Sequence, residues 1–238
     1  MITAESRELA GVPTLLMCRD DEGRIGGRGT ILFFHGLHAS KEVQHKELYS
    51  LAEHGFLVVG VDVIGHGERR YPDAARRFSA ANPDIESDID EVVIQTVAEI
   101  PAIIDALCLL KLSHESRFGI GGISLGAYIA YQAIIAEPRL SVATPILGSP
   151  IAHCDRPDSP HRHPEKFFPV AILSQNAGQD ANVPPAPARQ FHQALRPFYE
   201  LAPERLRHEE YKGVGHFMPE NVWLKLWSEV LRWFDTFL

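Results

Sequence analysis

Ser124 sits at the centre of Gly122-Ile123-Ser124-Leu125-Gly126, a Gly-x-Ser-x-Gly pattern. A serine hydroxyl is a weak nucleophile at neutral pH and does chemistry only where a base can take its proton. Candidates for that base, and for an acid to orient it, stand at three other places. They are His35-Gly36-Leu37-His38, Asp180 within Gly178-Gln179-Asp180-Ala181-Asn182-Val183-Pro184, and His216 within Gly213-Val214-Gly215-His216-Phe217. Asp155 and Asp158 are rival acids. His192 and His208 are rival bases, although a helix and a strand edge read as surface positions for them.

The elements around Ser124 give the pattern its meaning. Arg117–Ile120 reads as a short buried strand, and Leu125–Ala136 carries apolar Leu125, Ile129 and Ala133 at helical spacing. A serine at such a strand-to-helix junction is turned sharply outward, so Gly122 and Gly126 must be small. The Leu125 N–H then stands at a helix N-terminus, where developing negative charge is favoured. Further strands are expected at 2–9, 14–19, 30–34, 56–63, 142–148, 170–174 and 209–212, with polar turns at 20–23 and 26–29. Helices are expected at 41–54, capped by Ser40 and stopped by Gly55, and from Ser87 to Leu107, where Pro101 should kink or split the element. Two more are expected at 187–198 and after Pro219, the last with the stripe Trp223, Leu226, Val230, Phe234 and Phe237. Residues 71–86 and 149–168 show no period. The alternation of strands and helices from residue 30 onward implies a mostly parallel sheet of about eight strands with helices on both faces, in one domain over 1–238.

Composition limits the function classes. Of 238 residues, 45% are hydrophobic and 23% charged, as in ordinary proteins with a large core. A net charge of −8 argues against nucleic acid or an anionic membrane as the main partner. The N-terminus shows no signal-peptide core, and no apolar run reaches transmembrane length. Cys18, Cys108 and Cys154 are widely spaced and odd in number, which suits reduced thiols and a cytoplasmic location. His153, Cys154, His161 and His163 lack a zinc-ligand spacing, so no metal and no cofactor is expected. A short flap over the site is the plainer reading of their segment. Arg69, Arg70, Arg76 and Arg77 read as a solvated face.

The order Ser124, Asp180, His216, each after a strand, resembles the α/β-hydrolase superfamily. The loop 178–184 is similar to that family's acid loop, Gly215-His216-Phe217 to its histidine loop, and His35-Gly36-Leu37 to its oxyanion loop. Together with Ala52–Phe56 and Gly65–Arg69, these segments look most like small bacterial serine carboxylesterases related to dienelactone hydrolases and prolyl-oligopeptidase catalytic domains. A dienelactone hydrolase would carry Cys where Ser124 stands, and no propeller precedes the fold as it would in the peptidases. The resemblance implies an α/β-hydrolase fold with a minimal cap. It also implies a Ser124–Asp180–His216 triad with the Leu37 and Leu125 backbone N–H groups as oxyanion hole, acting on a small-molecule ester with a short acyl chain. The same triad would also serve a thioesterase, an acyltransferase or a small peptidase, and a non-catalytic binding protein of this fold is the reading from another class.

Overall fold

The computed structural model describes residues 1–19, 28–114, 116–154 and 156–238; the expected turn at 20–23, part of that at 26–29 and the rival acid Asp155 lie outside the described residues. Eight strands form one sheet in the order β1-β2-β4-β3-β5-β6-β7-β8. They are β1 (Ile2–Leu9), β2 (Val12–Arg19), β3 (Thr30–Phe34), β4 (Leu57–Val61), β5 (Phe118–Ile123), β6 (Leu140–Ile146), β7 (Ala171–Ala177) and β8 (Leu206–Tyr211). β1 and β2 join antiparallel at one edge, and every pairing from β4 to β8 is parallel. Among the described residues six α-helices accompany them: α1 (His45–Glu53), α2 (Ala74–Arg77), α3 (Ile85–Leu109), α4 (Leu125–Ala136), α5 (Ala186–Leu195) and α6 (Glu220–Phe237).

Strand pleating sorts the core into two layers. In β3 and β4, Leu32, Phe34, Leu57, Val59 and Val61 join a cluster containing residues of α3, α4 and α5. Their neighbours Ile31, Phe33 and Val58 face the other way, into a cluster with α1 and α6. Both faces of the sheet are therefore covered, which is why β3 and β4 are apolar at nearly every position.

Four expectations need correction. The first concerns α1, which begins at His45 rather than Lys41. Ser40 Oγ donates to Glu42 Oε2 instead of capping, and the Lys41 backbone N–H and Nζ are both held by Asp62, so the chain is pulled off the helical path. In α3, by contrast, the helix runs unbroken through Pro101. Val93, Val97, Ile100, Ile104 and Leu107 are buried on both sides of the proline, and that packing outweighs one missing bond. Its length and composition would suffice to cross a membrane, contrary to the expectation that no apolar run reaches that length, and 44% of its most apolar window is buried within the fold. The expected strand at 142–148, by comparison, forms as β6 with Pro145 inside it, and the β6–β7 register skips Thr144 and Pro145, where proline cannot donate to the ladder. Lastly, His192 is buried rather than on the surface, and neither ring nitrogen has a hydrogen-bond partner.

Candidate active site

Ser124 leaves β5 with φ 56° and ψ −112°, in the left-handed half of backbone space that a non-glycine residue rarely occupies. Its surroundings leave no alternative. A Cβ on Gly122 would stand 2.2 Å from the Gly126 carbonyl oxygen, and one on Gly126 would stand 2.1 Å from that of Phe34. The Ser124 N–H donates to Ile146 O at 2.8 Å, and its own carbonyl accepts from Ala127 N–H at 2.8 Å, so α4 starts immediately after it. The strain at Ser124 is held by sheet pairing on one side and by a helix on the other.

The loops after β7 and β8 bring Asp180 and His216 to this hydroxyl. Those loops are tied by backbone bonds, Gly178 N–H to Tyr211 O at 2.8 Å and Gln179 N–H to Val214 O at 2.9 Å. His216 Nε2 lies 3.1 Å from Ser124 Oγ, and Nδ1 lies 2.7 Å from Asp180 Oδ2. The other Asp180 oxygen accepts the Asn182 and Val183 N–H groups, both at 2.9 Å, which fixes the carboxylate plane. The Asp180 side chain is fully buried and that of His216 is 13% exposed. A carboxylate can only accept, so Nδ1 carries the proton and Nε2 offers its lone pair to the hydroxyl.

The rival residues are occupied elsewhere. Asp158 pairs with Arg156, which holds its carboxyl below the usual range, and His208 Nε2 lies 3.3 Å from Asn176 Oδ1. His35 is buried. It accepts the Val63 N–H at Nε2 and bonds the Gly36 carbonyl through Nδ1, and burial pushes its pKa down to about 4 despite that carbonyl. It is a neutral brace for the loop that carries Leu37. Of the four arginines, Arg69 pairs with Glu99, Arg76 with Asp73 and Arg77 with Asp88.

A second brace, centred on Lys41, has no sequence motif. Asp62 accepts the Lys41 N–H and Nζ, both at 2.9 Å, and the Glu68 N–H at 3.0 Å, while Nζ also reaches Glu42 and Glu68. Burial works against this ammonium, but the bonds to Asp62, Glu68 and Glu42 outweigh it and hold its pKa above the usual lysine range. Gly67 must be glycine here, since a Cβ would stand 2.0 Å from Asp62 Oδ1. The knot joins the loop after β3 to the loop after β4. Only the parallel pairing of those strands brings Lys41 to Asp62.

Leu37 and Leu125 line a cleft of about 760 Å³ together with Ser124 and His216. Leu125 opens α4, so its N–H has no intrahelical acceptor. Both aperiodic segments contribute to its lining: Phe78, Ala80 and Ile85 come from 71–86, and His153 from 149–168. Among its described residues the latter segment contains two short turns of 3₁₀ helix, Pro160–Arg162 and Pro164–Lys166, and no longer helix. Among the described residues no three His, Cys, Asp or Glu side chains converge as metal ligands, and no disulfide joins the three cysteines.

Residues 29–140 match the sequence pattern of a family described as alpha/beta hydrolase fold. The chain is 26% identical over 269 aligned residues to "Putative esterase YitV" of Bacillus subtilis strain 168, covering all of both proteins. It is 28% identical over 153 residues to "Esterase YjfP" of Escherichia coli K12, covering 63% of this chain and 56% of that one. The crystal structure of TT1662 from Thermus thermophilus has a TM-score of 0.81 to it over 99% of each chain, at 22% identity. With the sheet order and the turn at Ser124, these likenesses show that the chain has the α/β-hydrolase fold.

Proposed function

We propose that this protein is a serine hydrolase that cleaves small carboxylic esters, with Ser124, His216 and Asp180 as its triad in one α/β-hydrolase domain. The observation that carries the reading is the unbroken chain of contacts from Ser124 Oγ through both His216 nitrogens to a buried Asp180 carboxylate. His216 Nε2 takes the hydroxyl proton as Oγ bonds to the ester carbonyl carbon. The carbonyl electron pair moves to oxygen, which the Leu37 and Leu125 N–H groups receive. Asp180 stabilises the imidazolium without taking its proton. Collapse of the intermediate breaks the bond to the alcohol, which leaves with the proton from His216. Water, deprotonated by His216, then attacks the acyl-enzyme and releases the acid and Ser124. The names of the two sequence relatives support ester chemistry.

An apolar cleft of about 760 Å³ without a helical cap suits short acyl chains. Nitrophenyl esters from acetate to palmitate test both parts of the reading. Turnover should peak at a short chain, and Ser124→Ala should lower it by ~10⁴-fold or more. Near-normal turnover in the purified variant would overturn the triad, and a palmitate optimum would overturn the chain-length assignment.

A further inference from the structure

A second aspartate–histidine pair borders the same cleft and takes no part in the reaction just described. Asp90, on the first turns of α3, is buried. Its carboxylate accepts the His153 N–H at 3.1 Å, the Cys154 N–H at 2.8 Å and the His153 ring through Nδ1 at 3.0 Å. Burial alone would raise the Asp90 pKa, but these three donors hold it below the usual carboxylate range. The His153 ring stacks on Tyr128, with centroids 4.7 Å apart and planes 24° from parallel. Tyr128 lies on α4, one turn after Ser124, and both rings line the Ser124 cleft.

Three restraints thus fix this imidazole: a carboxylate at its edge, an aromatic face against its own, and two backbone bonds at its root. Because Asp90 can only accept, the Nδ1 edge carries hydrogen, and Nε2 is the ring's remaining polar atom. Among the described residues Nε2 makes no hydrogen bond, and the side chain is 22% exposed. Around it the cleft is mostly apolar, with Leu37, Phe78, Ile89 and Val183 among its walls. A polar atom held this firmly in an apolar cleft is what orients a ligand and discriminates between ligands.

We infer that His153 is a substrate-recognition residue and that the preferred substrates are hydroxylated esters, whose hydroxyl bonds Nε2. A hydroxyl suits this atom in either state through a single oxygen. It donates to the lone pair of the neutral ring and accepts from the N–H of the charged ring. The inference rests on the hydrolase reading above, and it adds to that reading the chemical class of a group bound in the same cleft as Ser124.

Two matched substrate pairs test it, one for each side of the ester: nitrophenyl 3-hydroxybutyrate against nitrophenyl butyrate, and glycerol monobutyrate against propyl butyrate. The readout is the ratio of kcat/KM within a pair, compared between the natural protein and His153→Leu, which cancels the intrinsic reactivity of each ester. In at least one pair the ratio should fall by roughly 3- to 10-fold on substitution, the size of one net hydrogen bond. His153→Gln, which keeps a polar group at the site, should recover part of it, and stands as the second variant if His153→Leu does not fold. Ratios unchanged by both substitutions would overturn the inference while leaving the hydrolase reading intact. Hydrolysis of all four esters at equal rates by the natural protein and Ser124→Ala would overturn that reading, and the inference with it.

Discussion

Two aspartate–histidine pairs face one cleft, and their difference lies in what the far nitrogen meets. In Asp180–His216 that nitrogen is 3.1 Å from a serine hydroxyl, whereas in Asp90–His153 it meets no described protein group. The two aspartates also divide their oxygens differently. Asp180 holds its own loop through the Asn182 and Val183 N–H groups, which leaves Oδ2 for the imidazole. Asp90 uses Oδ1 for both the ring and the His153 N–H, and Oδ2 for Cys154, so it fastens a whole segment to α3. An aspartate–histidine pair is therefore not a catalytic unit in itself. A nucleophile at the second nitrogen makes one, and without it the same chemistry anchors a wall and presents a polar atom.

Substituting each aspartate should separate the two pairs most sharply. Asp180→Asn removes the acceptor that sets the His216 tautomer, and kcat for nitrophenyl butyrate should fall by ~10⁴-fold in a folded protein. Asp90→Asn should lower the same kcat by less than about tenfold, since it loosens a wall and touches no reacting atom. Steady-state kinetics on both variants check this, and equal losses would erase the distinction.

Histidines outside both pairs provide the next contrast. Burial pushes the pKa of His192 down to about 3 and that of His35 to about 4, from an ordinary value of 6.5. Both stay neutral in the folded protein while the unfolded chain binds a proton below pH 6.5, so stability falls as pH drops through that window. Each contributes about 1.4 kcal/mol per pH unit once fully engaged, or about 4 kcal/mol for the two between pH 8 and 5. His192→Leu should flatten about half of that slope, measured by urea unfolding across pH 5–8, and an unchanged slope would show that His192 does not remain neutral.

A smaller effect is expected at the elbow beneath Ser124. Gly126→Ala drives a Cβ to 2.1 Å from the Phe34 carbonyl, and should cost ~3 kcal/mol or more in stability, at or above the upper end of ordinary overpacking. At the other pair, Asp90→Asn should cost about 2 kcal/mol, as a buried charge-assisted cluster becomes a neutral one. Thermal unfolding ranks the two, and the reverse order would mean that the 149–168 segment, not the elbow, is the more tightly held side of the cleft.

The Ser124 side of the cleft was legible in the sequence because backbone sterics write themselves as residue types. Gly122 and Gly126 are required by contacts of about 2 Å with main-chain oxygens, and no other residue satisfies them. The helix 125–136 and the strand 30–34 fall at the expected bounds because their apolar spacing matches the layers they pack into. What could not be read depends on contacts between residues far apart in the chain. Lys41 looked like the start of a helix until Asp62 claimed it. Pro101 looked like a break until burial on both sides of it held α3 together. His192 looked like a surface residue because a single histidine carries no periodicity. The His153 wall belongs to a segment with no period at all, and an aspartate 63 residues earlier sets its position.

The assignment of Ser124 as nucleophile is tested most directly by covalent labelling. The intact protein is incubated with a fluorophosphonate and the labelled peptide is identified by mass spectrometry. One adduct per chain on Ser124, formed at least ~10³-fold more slowly in His216→Ala, is the expected result. No adduct, or an adduct on another serine, would contradict the account.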